Sequence, residues 1–297
     1  MQHSENQPGQ TIAFRLYAPA EQRVPYVFNS PHSGRHYSES FLKASRLSAL
    51  DIRRSEDVLV DHLFASVVEI GAPLLAAQFP RAWLDVNREP YELDPKLFDE
   101  RLPAHANSGS MRVMGGLGTI PRLIAENLPI YAQKPSLKEA LQRIEENYRP
   151  YHETLRQLIA SSVHMFGYGV LVDCHSMPSR GCKNERLNRP DIIIGDRFGT
   201  SCNGEISSEL VRRFSDLGYS VLRNKPYAGG FITEHYGRPL KGLHAVQIEI
   251  NRGLYLDEEN LQPTAGFQQL ALDIQSVMAH LVSLPDGAFF PVPLAAE

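Results

Sequence analysis

The feature that most constrains this chain is a set of short apolar runs that do not alternate with polar residues. In "GVLVDCH" (169–175) the run Val170-Leu171-Val172 ends abruptly in Asp173, Cys174 and His175, with the breakers Pro178 and Gly181 just beyond. "APLLAAQF" (72–79) and "PDIIIGD" (190–196) have the same character. A strand that is apolar on both faces must be covered on both faces. Stretches of helical period separate the runs. Val58, Leu63, Val67 and Ile70 predict a helix over 51–71, and Ile206, Leu210, Val211, Phe214 and Leu217 predict another over 205–219. Phe267, Leu270, Ile274, Met278 and Leu281 predict a last helix over about 264–283. Strand and helix alternate, so the predicted class is α/β, a sheet with helices on both faces.

Further strands are expected at 24–28, at 82–88 ("AWLDVNR"), at 219–224 and at 244–252 ("HAVQIEINR"). Ser136 and Glu139 have the spacing of a capping box. They open a long helix that carries Leu137, Leu141, Ile144 and Tyr148 on one face. Pro150 is expected to kink or end it, because proline lacks the N–H and clashes with the preceding turn. Leu155, Leu158 and Ile159 then resume the stripe. Residues 91–135 are rich in Pro and Gly and read as irregular, a long functional loop or a small subdomain. Nothing divides the 297 residues, so one catalytic domain over 12–285 is expected between polar tails at 1–11 and 286–297.

A net charge of -4 argues against a nucleic-acid groove or an anionic membrane surface, both of which favour basic patches. A small anionic ligand would have to be met by local arginines. The three cysteines, Cys174, Cys182 and Cys202, have no CxxC spacing, so neither a disulfide framework nor a cysteine zinc site is expected. With a polar N-terminus and no run of roughly 18 apolar residues, a cytoplasmic protein without a membrane span is expected.

Four clusters place ionisable groups beside apolar runs: 29–36 ("NSPHSGRH"), 84–90 ("LDVNREP"), 172–179 ("VDCHSMPS") and 246–253 ("VQIEINRG"). In α/β sheets, sites gather at strand ends. His32 and His175 each follow a strand into a Pro/Gly turn, which suits a site assembled from loops. Each is either a structural histidine or a metal ligand, and zinc favours imidazole nitrogen with a carboxylate. Asp173 is either an ordinary strand-end acid or the group that orients an imidazole. Val246, Ile248 and Ile250 share one face of their strand, and Gln247 and Glu249 point to the other. A carboxylate there is costly to bury alone. Glu249 is either salt-bridged or a general base with a raised pKa. Arg81, Asn87, Arg88, Arg122 and Arg238 lie in turns or at strand ends. Arg88 beside Asn87 suits a substrate carboxylate, which a guanidinium binds in a fork. Ser33 and Ser176 each adjoin a histidine, which leaves a metal-free serine hydrolase as a weaker option.

In this order the four clusters resemble the N-formylglutamate amidohydrolase (deformylase) family. The likeness extends to "SEDVLVDHLF" (55–64), "GLGTIPR" (116–122), "YRPYHETL" (148–155), "IIIGDRFGTSC" (192–202) and "PYAGGFITEHYGRP" (226–239). It spans roughly residues 24–283. More distantly, "DVNR", "DCH" and "IEI" are similar to elements of the zinc carboxypeptidase and aspartoacylase group. That likeness implies a mixed central sheet flanked by helices on both faces.

The resemblance implies a zinc-dependent amidohydrolase of histidine degradation that cleaves N-formyl-L-glutamate, a small anionic N-acyl amino acid. By position, His32 and His175 carry over as ligands of one Zn2+, Glu249 as acid/base, and Asn87 and Arg88 as binders of a substrate carboxylate. Arg81 becomes the candidate for polarising the scissile carbonyl. The carboxypeptidase group takes its carboxylate ligand three residues after the first histidine. Here that position is Arg35, which cannot ligate. Asp57 is the expected replacement, with Glu56 in reserve. Arg122 or Arg238 would meet a second substrate carboxylate, and Gly229-Gly230 would let backbone approach the ligand. The alternatives are a zinc amidohydrolase for another N-acyl amino acid or small peptide, and a binding protein that keeps the fold without catalysis.

Overall fold

The computed structural model describes residues 13–124, 128–179 and 190–284. The expected tails, with Gly181 and Cys182, lie outside the described residues. Seven strands form one sheet: β1 (Phe14–Tyr17), β2 (Tyr26–Ser30), β3 (Leu74–Ala77), β4 (Gly169–Met177), β5 (Ile192–Gly195), β6 (Val221–Arg223) and β7 (Leu243–Asn251). Their order is β1-β3-β2-β4-β7-β5-β6. The inner strands β3, β2, β4 and β7 are mutually parallel. β1 and β5 pair antiparallel with their inner neighbours, so the sheet is mixed.

Four principal helices cover it: α1 (Leu137–Arg143), α2 (Arg149–Phe166), α3 (Gly204–Asp216) and α4 (Gly266–Ser283). On one face Phe28, Val172, Ile194 and Ile248 pack with Phe214 of α3 and Ile274 of α4. On the other, Val27, Leu75, Leu171 and Ala245 pack with Tyr151 and Leu155 of α2. Full burial on both faces explains why these strands read as unbroken apolar runs. Each buried Val, Leu, Ile or Phe contributes roughly 1.5–3 kcal/mol. Among the described residues no helix is long and apolar enough to cross a membrane.

The strand period then places the polar residues. Val170, Val172 and Cys174 of β4 and Val246, Ile248 and Ile250 of β7 belong to the first core. Leu171 and Ala245 belong to the second. Asp173, His175, Gln247 and Glu249 therefore emerge on the second face. The register sets Asp173 opposite Gln247 and His175 opposite Glu249.

Three expected elements differ. The helix over 51–71 is broken into a 3-10 turn (Ile52–Ser55), a short helix (Val60–Leu63) and a second 3-10 turn (Ala65–Val68). Between them Glu56 is extended and Leu59 is left-handed at φ 59°. The Asp57 N–H donates to the His32 carbonyl at 3.0 Å instead of to a helix. Residues 82–88 are not a strand. Leu84 and Val86 keep the alternation by entering the second core, but the backbone is tied to the Pro80 turn and to Thr119. Pro150 does not end its helix: a π turn (Ile144–Tyr148) joins α1 to α2 immediately before it. The Ser136 cap forms as expected, accepting from Glu139 N at 3.2 Å. Among its described residues the segment 91–135 is largely irregular, with one short helix, Met111–Met114.

Candidate active site

His32, from the turn after β2, Asp57, from the break in the expected helix, and His175, from β4, converge. Each offers one ligand atom, and these atoms lie within 4.8 Å of one another. The imidazole centroids are 4.9 Å apart. Asp57 Oδ2 lies 2.9 Å from His175 Nδ1 and 3.4 Å from His32 Nδ1. All three residues are buried.

The outer ring nitrogens are committed elsewhere. His32 Nε2 is 2.7 Å from Asp85 Oδ1, and His175 Nε2 is 2.9 Å from Asp173 Oδ2. A carboxylate only accepts, so each Nε2 is set to donate outward and each Nδ1 faces Asp57, with His175 Nδ1 within hydrogen-bond distance of it. His32 Nδ1 is buried and has no hydrogen-bond partner. With both rings neutral, two lone pairs and an anionic oxygen directed at one point repel unless a cation sits between them. Burial works against a charged His175, yet Asp173, Asp57 and Glu249 hold its imidazole well above the usual range. The donor set therefore fits a divalent cation bound through two imidazoles and one carboxylate.

The supports are themselves supported. Asn29 Nδ2 donates to Asp173 Oδ1 at 2.7 Å, and Tyr151 of α2 donates to Asn29 Oδ1. Asp85 accepts from Asn87 N at 2.9 Å and from Arg81 at 3.0 Å, with Arg88 at 3.4 Å. Burial resists its ionisation, but Arg88, His32 and Arg81 hold it well below the usual carboxylate range. Arg252 donates to Asp57 Oδ1 at 3.0 Å and to Ser176 Oγ at 3.0 Å.

These groups border a cavity of about 540 Å³ lined by His32, His175, Asn87, Arg88, Arg81 and Glu249, among others. That volume is in the range of small-molecule sites. Glu249 accepts from Gln247 Nε2 at 2.8 Å. Burial, aided by the Asp57 charge, outweighs His175, Arg81 and Arg252 and pushes the Glu249 carboxyl up to about 7. Asn87 Oδ1 accepts from Ile232 N at 2.8 Å, which fixes its amide. Gly229 and Gly230 line the cavity. Gly230 makes room for Asn87, whose Nδ2 would lie 2.4 Å from an added Cβ.

Other expected residues lie elsewhere. Arg122 Nε donates to Asp94 at 2.7 Å, and Arg238 is exposed where it bridges to Leu243. Neither lines the cavity. Glu56 is held by Arg53 at 3.0 Å, away from the histidines. Arg35 is drawn to Asp61 at 3.1 Å. Ser33 is engaged by Ser30 and by Asp61 N, and Ser176 by Arg252 and Asp57. Neither hydroxyl is set against an imidazole as a triad requires. The sequence alone assigns no role to Asp85 or Arg252. Their signal was position alone, beside Asn87-Arg88 and just after Glu249.

The N-formylglutamate amidohydrolase family model matches residues 24–256. An N-formylglutamate deformylase from Pseudomonas putida is 30% identical over 266 residues, 88% of this chain and 91% of that protein. One from Pseudomonas aeruginosa is 29% identical, covering 88% and 92%. The crystal structure of N-formylglutamate amidohydrolase from Ralstonia eutropha superposes with a TM-score of 0.86 at 32% identity, over 91% of this chain and 98% of that one. The family match spans strands β2 to β7, His32, His175, Asp57 and Glu249, and the chain belongs to the N-formylglutamate amidohydrolase family.

Proposed function

We propose that this protein hydrolyses the C–N bond of N-formyl-L-glutamate, giving formate and L-glutamate, with one zinc ion held by His32, Asp57 and His175. The observation that carries this reading is the convergence of those three donors at the edge of the cavity that His32, His175 and Glu249 line. The names of the Pseudomonas relatives supply the substrate. Zinc in this site would lower the pKa of a water to about 7 and polarise the formyl carbonyl.

The protein's own groups do the rest. Glu249 takes the proton of the water as its oxygen bonds to the formyl carbon, and returns it to the glutamate nitrogen as the C–N bond breaks. Arg81 faces the developing oxyanion and shares its stabilisation. Asn87 and Arg88 hold the α-carboxylate and orient the formyl group.

The test is formate release from N-formyl-L-glutamate combined with metal analysis. Glu249→Gln should lose nearly all turnover and keep its zinc, whereas His175→Ala should lose the zinc. Near-normal rates in Glu249→Gln would overturn the acid/base role. Full zinc content in His175→Ala would overturn the ligand set.

A further inference from the structure

Among the described residues six arginines line the cavity: Arg54, Arg81, Arg88, Arg112, Arg197 and Arg252. Five face a carboxylate already. Arg54 pairs with Asp51 at 3.0 Å, Arg81 and Arg88 with Asp85 at 3.0 and 3.4 Å, Arg197 with Glu234 at 2.8 Å and Arg252 with Asp57 at 3.0 Å. Arg112 has no acidic partner among the described residues.

The backbone ties Arg112 to Arg88. Arg112 lies on the helix Met111–Met114, which Ser110 caps by accepting from Val113 N at 3.1 Å. In the turn that follows, Leu117 N donates to the Arg112 carbonyl at 2.8 Å. The Leu117 carbonyl accepts from Arg88 Nε at 2.8 Å. One residue thus spaces the two guanidinium-bearing segments on the same wall. Burial is the main cause that lowers the Arg88 pKa, to about 10, and the nearby Arg112 charge adds to it. Like charges held this way favour an anion that can meet both. Asp85 already occupies part of the Arg88 fork, whereas no acidic group among the described residues occupies the fork of Arg112.

We propose that Arg112 receives the side-chain carboxylate of an N-acyl dicarboxylic amino acid whose α-carboxylate rests on Arg88 and Asn87. This rests on the deformylase reading and adds the basis for choosing an acidic side chain. Arg112 replaces Arg122 and Arg238 as the second carboxylate partner. It acts on specificity and takes no part in bond breaking.

The test compares N-formyl-L-glutamate with N-formyl-L-glutamine, which differ only in the side-chain charge. Calorimetric binding to zinc-loaded Glu249→Gln protein needs no turnover. That protein should bind the acid about ten-fold or more tighter than the amide. Adding Arg112→Gln should erase the preference, and Arg112→Lys should keep part of it. No preference before the change, or a preference that survives Arg112→Gln, overturns the proposal. Formate release by the unaltered enzyme is measured in parallel. Its absence would count against the deformylase function, and the binding ratio would still decide Arg112.

Discussion

Asp57 has two carboxylate oxygens, and they are used differently. Oδ1 accepts from Arg252 and Ser176, leaving Oδ2 to face the two histidines. Arg252 therefore sets which oxygen can bind a cation. Losing such a support typically costs 10–100-fold in metal affinity. Arg252→Gln is expected to weaken zinc binding by about that factor, read by titration against a chromophoric chelator. Unchanged affinity would show that Asp57 holds its pose without help. Glu249 was legible in the sequence because an acid inside an apolar strand is conspicuous. Asp85 and Arg252 were not, because their partners lie 53 and 195 positions away in the chain. Arg122 and Arg238 look in sequence like any arginine in a polar turn, and only packing separates them from Arg112.

Among elements, the segment that leads into the short helix Phe231–Tyr236 has a tight steric demand. Gly230 lies against Asn87, and its N–H donates to Gln247 Oε1 at 2.8 Å. The same Gln247 donates to Glu249. Gly230→Ala should displace the Asn87 amide at a cost of about 1–3 kcal/mol. The expected result is a KM for N-formyl-L-glutamate raised roughly ten-fold or more, with a smaller loss in kcat. A KM within two-fold of the parent would mean that Asn87 does not hold the substrate. The broken helix over 51–71 shows the limit of periodicity. Val58, Leu63 and Val67 do enter the core, as their spacing implies. Spacing does not record that the Asp57 N–H is claimed by His32, and that bond turns the chain out of the helix.

For the whole molecule, apolar runs without alternation predict a two-sided sheet, and the layers follow. Strand order and the antiparallel turn of β5 do not, because both depend on contacts between distant segments. One buried histidine makes stability depend on pH. His152 of α2 donates from Nε2 to the Val86 carbonyl at 2.8 Å, and Tyr236 OH lies 2.9 Å from Nδ1. Burial, with His235 and Arg156 adding to it, pushes its pKa down to about 4. The unfolded chain binds this proton near pH 6.5, so between pH 6.5 and 4 it holds more protons than the folded one. Stability therefore falls as pH drops through that window, by about 3 kcal/mol from this group. Urea titrations at pH 7 and 5 should show about 2 kcal/mol of that loss, with a smaller loss in His152→Gln. An equal loss in both would assign the effect to other groups.

The pairing of His175 with Glu249 across β4 and β7 has a consequence for how such a sequence can change. Deleting one residue from either strand would turn the Glu249 carboxyl or the His175 ring away into the opposite oily layer. Length changes in the genes of relatives should accordingly fall in the connecting segments and spare these two strands.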